Sequence, residues 1–165
     1  MDMYFSAKTQ TLVQFKEVYD KRLLKETPNN GSPVIFCAMA NQTPQNRYDI
    51  VSFLMDEGED LNGTNEEGET LFHILFSRPK HIMEQTVELT LILIDEGVDI
   101  NQLDAKHRVA IQYLISHPKF TDEDFAPLYD VIFKRCTLEL NIKNDWGYTP
   151  IELAQKLPYR AELLK

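Results

Sequence analysis

Two short stretches with nearly the same order of residues decide the fold: DEGVDIN at residues 95–101 and DEGEDLN at residues 56–62. A third copy, ELN at residues 139–141, keeps the final acid, apolar residue and Asn. The Asn residues at 62, 101 and 141 are therefore 39 and 40 residues apart. A motif that returns at one spacing indicates a chain assembled from repeated structural units.

A second pattern follows these motifs after a short polar loop. It reads EGETLFHIL at residues 67–75 and WGYTPIELA at residues 146–154, and an upstream copy reads NGSPVIFCA at residues 30–38. In each copy a Ser or Thr precedes an apolar run. Its hydroxyl oxygen can accept hydrogen bonds from the unpaired backbone N–H groups at the start of a helix. Pro33 and Pro150 fit the first turn of a helix, where the missing N–H costs nothing. Each copy therefore predicts a helix start.

A second helix is predicted immediately before each DEG motif. Apolar residues there recur at the i, i+3, i+4 spacing of a helix with one buried face, for example at Leu89, Ile92 and Leu93. Gly58 and Gly97 then lie where a helix ends in a left-handed residue. Each unit is predicted to contain an inner helix, a loop, an outer helix, a Gly cap and a polar finger.

These patterns resemble the ankyrin repeat, in which G-x-T-P-L-H-x-A-A precedes a second helix that ends in L-L-x-x-G-A-D-V-N. The matching segments are GETLFHI, GYTPIELA, FLMDEGEDLN and LILIDEGVDIN, and the resemblance spans residues 27–165. It implies an all-α ankyrin-repeat α-solenoid of stacked helix-turn-helix units with β-hairpin-like finger loops. The implied organisation is an N-terminal helical cap at 1–26, repeats at 27–64, 65–103 and 104–143, and a C-terminal capping repeat at 144–165.

The ends and the third repeat depart from this pattern. Residues 11–25 are predicted to form one amphipathic capping helix. In the last unit, residues 151–157 are predicted to form the inner helix and residues 159–165 a short closing helix. The units exceed the usual length of about 33 residues, and the excess is assigned to inserted loops at 77–86 and 116–127. In the divergent third repeat, His107 stands at the glycine position and Thr137 replaces the cap glycine. That cap is therefore expected to differ in shape.

Composition narrows the possible functions. With 165 residues, of which 43% are hydrophobic, the chain is expected to form one domain with a continuous core. A net charge of -9 argues against nucleic-acid binding, because phosphate contacts need clustered Lys and Arg. The first residues lack the features of a secretory signal and no apolar stretch is long enough to cross a bilayer. We therefore expect a cytoplasmic protein without membrane contact, with Cys37 and Cys136 as buried structural thiols.

The acids of DEGVDIN raise the possibility of a calcium site, which their spacing disfavours. A calcium loop of EF-hand type places oxygen ligands at alternate positions over about a dozen residues and closes with a bidentate Glu. Neither copy has that frame, so no metal and no cofactor is expected. No catalytic triad order, phosphate-binding loop or HExxH motif occurs, so we expect no enzyme activity. His73 matches the family histidine that ties the finger backbone together.

The resemblance implies a non-catalytic module that binds another protein through its fingers and the concave face of its inner helices, and we expect it to be a monomer. An acidic edge at residues 56–69, with seven acids and no Lys or Arg, favours a basic partner or simply keeps the surface solvated. Trp146 is either an interface anchor or a cover for the C-terminal end. The alternatives are an acidic inhibitor or immunity-type protein that occludes a basic target, and a small-molecule or enzymatic site at the inserted loops. The candidate partner-binding residues are Asn29, Glu66, Glu67, Glu69, Ser77, Arg78, Lys106, Arg108, Asp145, Trp146, Tyr148 and Lys156.

Overall fold

Helices in two layers account for the fold. The computed structural model describes residues 2–24 and 32–164, and in these ranges it contains α-helices and short 3-10 turns but no β-strand. The predicted all-α class is confirmed. The α-helices are α1 Met3–Thr9, α2 Leu12–Val18, α3 Val34–Met39, α4 Pro44–Asp56, α5 Leu71–Phe76, α6 Met83–Asp95, α7 Ile111–Ile115, α8 Asp122–Arg135 and α9 Pro150–Lys156, and the 3-10 turns are Lys21–Leu23, Pro158–Arg160 and Glu162–Leu164.

The helices form two rows. The odd-numbered helices α1, α3, α5, α7 and α9 contact one another in that order and form the inner row, and α2, α4, α6 and α8 form the outer row. The core lies between the rows, where Leu54 of the outer row and Phe72 and Leu75 of the inner row are fully buried. Because each helix packs mainly on its neighbours in the stack, stability comes from contacts between adjacent units. Among the described residues, no helix combines the length and the apolar character required to cross a membrane.

The DEG motifs end the outer helices α4 and α6 as predicted. Gly97 has a φ of +79°, and its N–H donates to the carbonyl of Ile94 at 3.0 Å while the N–H of Val98 donates to that of Leu93 at 3.0 Å. This pair of bonds is the Schellman motif, and Gly58 closes α4 in the same way with a φ of +91°. Helix α8 instead ends at Cys136 in an extended conformation. The cap of the third unit therefore differs, as its missing glycine predicts.

A matched pair of glycine substitutions separates backbone strain from steric contact. Gly97→Ala is expected to lower the free energy of unfolding by about 1 kcal/mol. The added Cβ would contact no neighbouring atom, so the only cost is the strain of alanine at a positive φ. Gly68→Ala is expected to cost about 2 kcal/mol, because at a φ of +72° its Cβ would also lie 3.2 Å from the backbone nitrogen of Ala105. Urea unfolding of both variants tests this order, and equal losses would show that the Ala105 contact is unimportant.

The prediction of one N-terminal helix over residues 11–25 is wrong. Residues 3–9 form an unpredicted helix, α1, whose start is capped by the Asp2 side chain, and Thr11 begins the separate helix α2 with a reciprocal bond to Gln14. Helix α2 stops before Tyr19, whose backbone is extended, and Lys25 lies outside the described residues. Because α1 packs on α3 and α2 on α4, this segment extends both rows.

The prediction of a closing helix over residues 159–165 is also wrong. Helix α9 forms where predicted, but two 3-10 turns follow it, and Lys165 lies outside the described residues. The N–H groups of Glu162 and Leu163 donate to Oδ2 of Asp122 at 3.0 and 3.3 Å. These amides are engaged by a carboxylate about forty residues away, so they do not propagate an α-helix.

The inserted loops are shorter than predicted, covering residues 77–82 and 116–121 rather than 77–86 and 116–127. Helix α6 begins at Met83 and α8 at Asp122, because Thr121 and Asp124 form a capping box. The imidazoles of His81 and His117 fill the space under the loops. They pack with the rings of Phe120 and Phe125 at centroid distances of 5.0 to 6.2 Å. The pocket considered for this place is therefore occupied by the protein's own side chains.

Side-chain donors in or next to the loops connect one unit to backbone carbonyls of the next or previous unit, and we call this set the loop ladder. The Asn41 amide donates to the carbonyls of Ala7 and Gln10, Arg78 to that of Ala40, and Arg47 to that of Lys80. His117 donates to the Arg78 carbonyl at 2.9 Å, and Arg160 to those of Ile115, His117 and Phe120. The loops thus provide hydrogen bonds between units where the inner helices end. The donors of the loop ladder are Asn41, Arg47, Arg78, His117 and Arg160.

Candidate functional site

Three turns of nearly identical construction form the fingers. They begin at Asn65, Asp104 and Asn144, and in each the side-chain oxygen of this first residue accepts two backbone N–H groups at 2.9 to 3.2 Å. The fourth position has a positive φ in every turn and is Gly68, His107 or Gly147. His107 adopts a φ of +60°, so the divergent unit keeps the turn without its glycine. The side-chain bonds hold each finger tip in one conformation.

The fingers are also joined to each other. The N–H of Ala105 donates to the carbonyl of Glu67 at 2.8 Å, and the N–H of Asp145 to that of Lys106 at 3.0 Å. His73 adds a connection from the core, because its Nδ1 accepts the N–H of Thr70 at 3.0 Å and its Nε2 donates to the Arg108 carbonyl at 2.8 Å. Burial lowers the pKa of His73, which keeps this imidazole neutral. The predicted tying role of His73 is confirmed, and the finger tips form a continuous, rigid row.

DEGVDIN forms a joint between units. Asp99 accepts the N–H of Asn101 at 2.9 Å, Ile100 is buried, and the Asn101 side chain bonds the Thr137 carbonyl and the Glu139 N–H at 2.8 Å each. The polar atoms of the motif thus bond backbone groups within it and in the following unit. Within residues 2–24 and 32–164, no group of three or more His, Cys, Asp or Glu side chains is arranged to hold a metal ion.

An aromatic side chain with two cations at its ring lies on the last two fingers. Trp146 is 57% exposed, with Nζ of Lys106 at 5.4 Å and Cζ of Arg108 at 5.6 Å from its ring centroid. Arg108 also lies 4.9 Å from the ring centroid of Tyr113, and its Nε bonds the buried Asp104 carboxylate at 2.8 Å. Cations this close to an aromatic face are attracted by the ring quadrupole. We call Lys106, Arg108, Tyr113 and Trp146 the tryptophan patch.

Tyr113 is the member of this patch that the sequence reasoning missed. Its hydroxyl lies 3.2 Å from Oε2 of Glu69 and 3.1 Å from Oδ2 of Asp104, so it connects two neighbouring fingers. The sequence does distinguish Tyr113, because the corresponding positions of the neighbouring units are the aliphatic Ile74 and Leu153. A tyrosine there introduces a hydrogen-bonding group on the finger side of the inner row.

The acidic edge at residues 56–69 includes fewer available carboxylates than its sequence indicates. Glu57 pairs with Lys21 at 3.5 Å, and Glu69 bonds Asn65 and Tyr113. Burial, with the nearby charge of Asp60, raises the pKa of Glu59 to about 7, which reduces its charge at neutral pH. The exposed acids at the first finger tip are Glu66 and Glu67.

The remaining candidate residues have different surroundings. Asp145 is exposed and pairs with His107 at 2.7 Å, and the Lys156 ammonium lies 3.7 Å from the ring centroid of Tyr148. Ser77 and Arg78 both donate to the Ile74 carbonyl, and Arg78 belongs to the loop ladder, so their polar groups hold helix ends together. Asn29 lies outside the described residues.

The two cysteines are free thiols, as expected, but they are only partly buried, so the prediction of buried thiols is wrong in its degree of burial. Burial raises the pKa of the Cys37 thiol to about 11, and it also raises that of Cys136. Because the thiolate is the reactive form, raised pKa values keep both groups weakly nucleophilic at neutral pH.

Comparisons with known proteins find solved structures of similar fold. No family model matches the sequence, and no curated protein matches it. The chain matches 404 solved chains, so its backbone arrangement is widely shared and does not by itself specify a function. One of these is a functionally unknown protein from Leptotrichia buccalis C-1013-b. The two are 26% identical, with a TM-score of 0.81, over 99% of this chain and 90% of that one.

Proposed function

We propose that this chain is a non-catalytic, ankyrin-type module that binds a partner protein on its finger row and the adjacent side of its inner helices. The observation that carries the proposal is Trp146, a large aromatic side chain that is 57% exposed on a finger fixed by the Asn144 turn. Aromatic anchors and Arg are enriched among the residues that dominate binding energy. A rigid finger presents Trp146 with little loss of conformational entropy on binding.

The ankyrin-type assignment rests on local geometry as well as on the sequence pattern. The stacked helix pairs, the glycine caps at Gly58 and Gly97 and the buried bridge at His73 occur where the repeat pattern expects them. The finger turns replace a β-hairpin with a side-chain-stabilised turn and single backbone bonds between fingers. Such stacked units present an extended surface on one side, which suits recognition of a macromolecule.

The proposed partner is a protein with a basic region that faces Glu66 and Glu67 and an apolar or aromatic group that contacts Trp146. The net charge of -9 would accelerate association with a basic partner and make its rate fall as salt rises. The same charge supports an inhibitor or immunity-type protein as the second candidate, in which binding covers the functional site of a basic target. Loss of the partner's activity on complex formation would distinguish this case.

The experiment is affinity capture of partners from the native organism, followed by calorimetry with the recovered protein. Trp146→Ala is expected to weaken binding about 30-fold, as for an interface hot spot of about 2 kcal/mol. Glu66→Lys with Glu67→Lys is expected to slow association, most strongly at low salt. The control, Glu84→Lys with Glu96→Lys, makes the same charge change at exposed residues of α6 and its C-cap. Unchanged binding by both finger variants would refute the proposed surface.

A further inference from the structure

Within the described residues, one side of helix α8 is not covered by a further outer helix. Helices α2, α4 and α6 each contact the next outer helix, whereas in the described residues α8 is followed in that row only by the 3-10 turn Glu162–Leu164. An open groove of about 1050 Å³ lies beside α8, between it and Ile151 and Gln155 of α9. The groove occupies the place where the repeating pattern would put a fifth outer helix.

The groove has the dimensions of a helix. Glu123, Ala126, Asp130 and Phe133 line it from α8 at spacings of three and four residues, so they share one helix face. From Glu123 to Lys134 this face runs about 16 Å along the axis, at about 1.5 Å per residue. It therefore matches a helix of about three turns. The small side chain of Ala126 at its middle permits a close approach.

The groove surface is apolar on its floor and along part of its rim. Tyr129 and Leu163 are buried beneath it, while Phe133 and Leu164 are each 45% exposed. An exposed Phe and an exposed Leu on one groove favour a partner that removes them from water. The Asp122 carboxylate is already engaged by Arg160, Tyr129 and backbone N–H groups. The recognition chemistry is therefore apolar contact at the centre with charge at the rim.

The rim charge selects the occupant. Glu123 and Asp130 line the groove from α8, and Lys134, the cation among the described lining residues, is bonded to Asp130 at 3.1 Å. We propose that this groove binds a basic amphipathic helix of a partner protein, which lies along α8 as a fifth outer helix. A second copy of this chain is a poor occupant, because it carries the same net charge of -9 and the same acidic rim. The site is separate from the finger row and does not depend on the proposed function.

The test uses a fluorescein-labelled helical peptide of about 14 residues, near the three-turn length of the groove, with leucines at i, i+3, i+4 and i+7 and lysines elsewhere. Fluorescence anisotropy with the whole chain is expected to show saturable binding that weakens with salt. Ala126→Arg, which fills the groove from an exposed position, is expected to weaken binding at least tenfold, and so is Phe133→Ala. Phe5→Ala, a matched control at a 54% exposed Phe on α1, is expected to leave binding unchanged.

Two further peptides and a sedimentation measurement determine whether the proposal survives. A scrambled peptide of the same composition and a peptide with Glu in place of Lys are expected to bind at least tenfold more weakly. Equal binding of the three peptides, no binding of the basic peptide, or full binding to Ala126→Arg would each overturn the proposal. Concentration-dependent dimerisation that is lost in Ala126→Arg would overturn it in favour of a second copy. Trp146→Ala should not change peptide binding, which separates this site from the finger row.

Discussion

Arg160→Met is expected to lower the free energy of unfolding by about 3–5 kcal/mol, because it leaves a buried charge without its partner. The Arg160 side chain is fully buried, and its guanidinium donates to the Asp122 carboxylate at 3.2 Å and to the carbonyls of Ile115, His117 and Phe120 at 2.8 to 3.0 Å. Methionine fills similar volume but satisfies none of these acceptors. Urea unfolding followed by circular dichroism measures the loss.

A surface arginine and a double substitution provide the controls for this prediction. Arg135→Met breaks an exposed ion pair with Asp95 and is expected to cost less than about 1 kcal/mol. Combining Arg160→Met with Asp122→Asn is expected to recover part of the loss, because the uncompensated carboxylate is then removed. If Arg160→Met lost no more stability than Arg135→Met, Arg160 would not hold the C-terminal unit in place.

Acidification from pH 7 to pH 4 is expected to lower the free energy of unfolding by about 3 kcal/mol through His81 alone, at about 1.4 kcal/mol for each pKa unit. Burial, followed by the nearby charges of Arg47 and His117, lowers the pKa of His81 to about 3. The unfolded chain binds a proton at this residue below about pH 6.5, whereas the folded protein does not until about pH 3. The stabilisation is therefore complete above pH 6.5 and is lost as the pH falls towards 3.

Comparison of variants at each pH isolates the contribution of His81. Glu59 acts in the opposite sense, because its raised pKa makes the folded state less stable as the pH rises from about 4.5 to 7. His81→Phe is expected to lose less stability than the wild type between pH 7 and pH 4, because the substituted protein no longer contains the buried imidazole. Parallel profiles for wild type and His81→Phe would mean that His81 is protonated in the folded protein.

The sequence predicts the features that local chemistry determines. The glycine caps at Gly58 and Gly97, the helix start at Pro150 and the bridge at His73 each depend on residues within a few positions of one another. Their recurrence gives the repeat, and the repeat gives the all-α class. Even the altered cap near Thr137 follows from the absence of one glycine.

Features set by distant contacts were not predictable in the same way. The C-terminal 3-10 turns depend on Asp122, about forty residues away, and the filling of the inserted loops depends on His81 meeting His117. Which residues belong to the candidate site also depends on contacts between residues that are distant in the sequence. Trp146 is recognisable as an unusual residue on a finger, but its two cations come from the preceding finger, and Ser77 and Arg78 point their polar groups at helix ends. Only the three-dimensional arrangement separates surface residues from those that hold the units together.

The hydrogen bonds of the loop ladder depend on the order in which the units follow one another. The residues that follow successive inner helices include an amide, an arginine, an imidazole and a second arginine, at Asn41, Arg78, His117 and Arg160. Each donates to a different set of carbonyls. Shuffling or duplicating units during protein engineering would therefore place donors opposite unmatched acceptors. Unlike an array of identical modules, this protein joins its described units with a different donor at each junction, so exchanging two units would change the bonds between them.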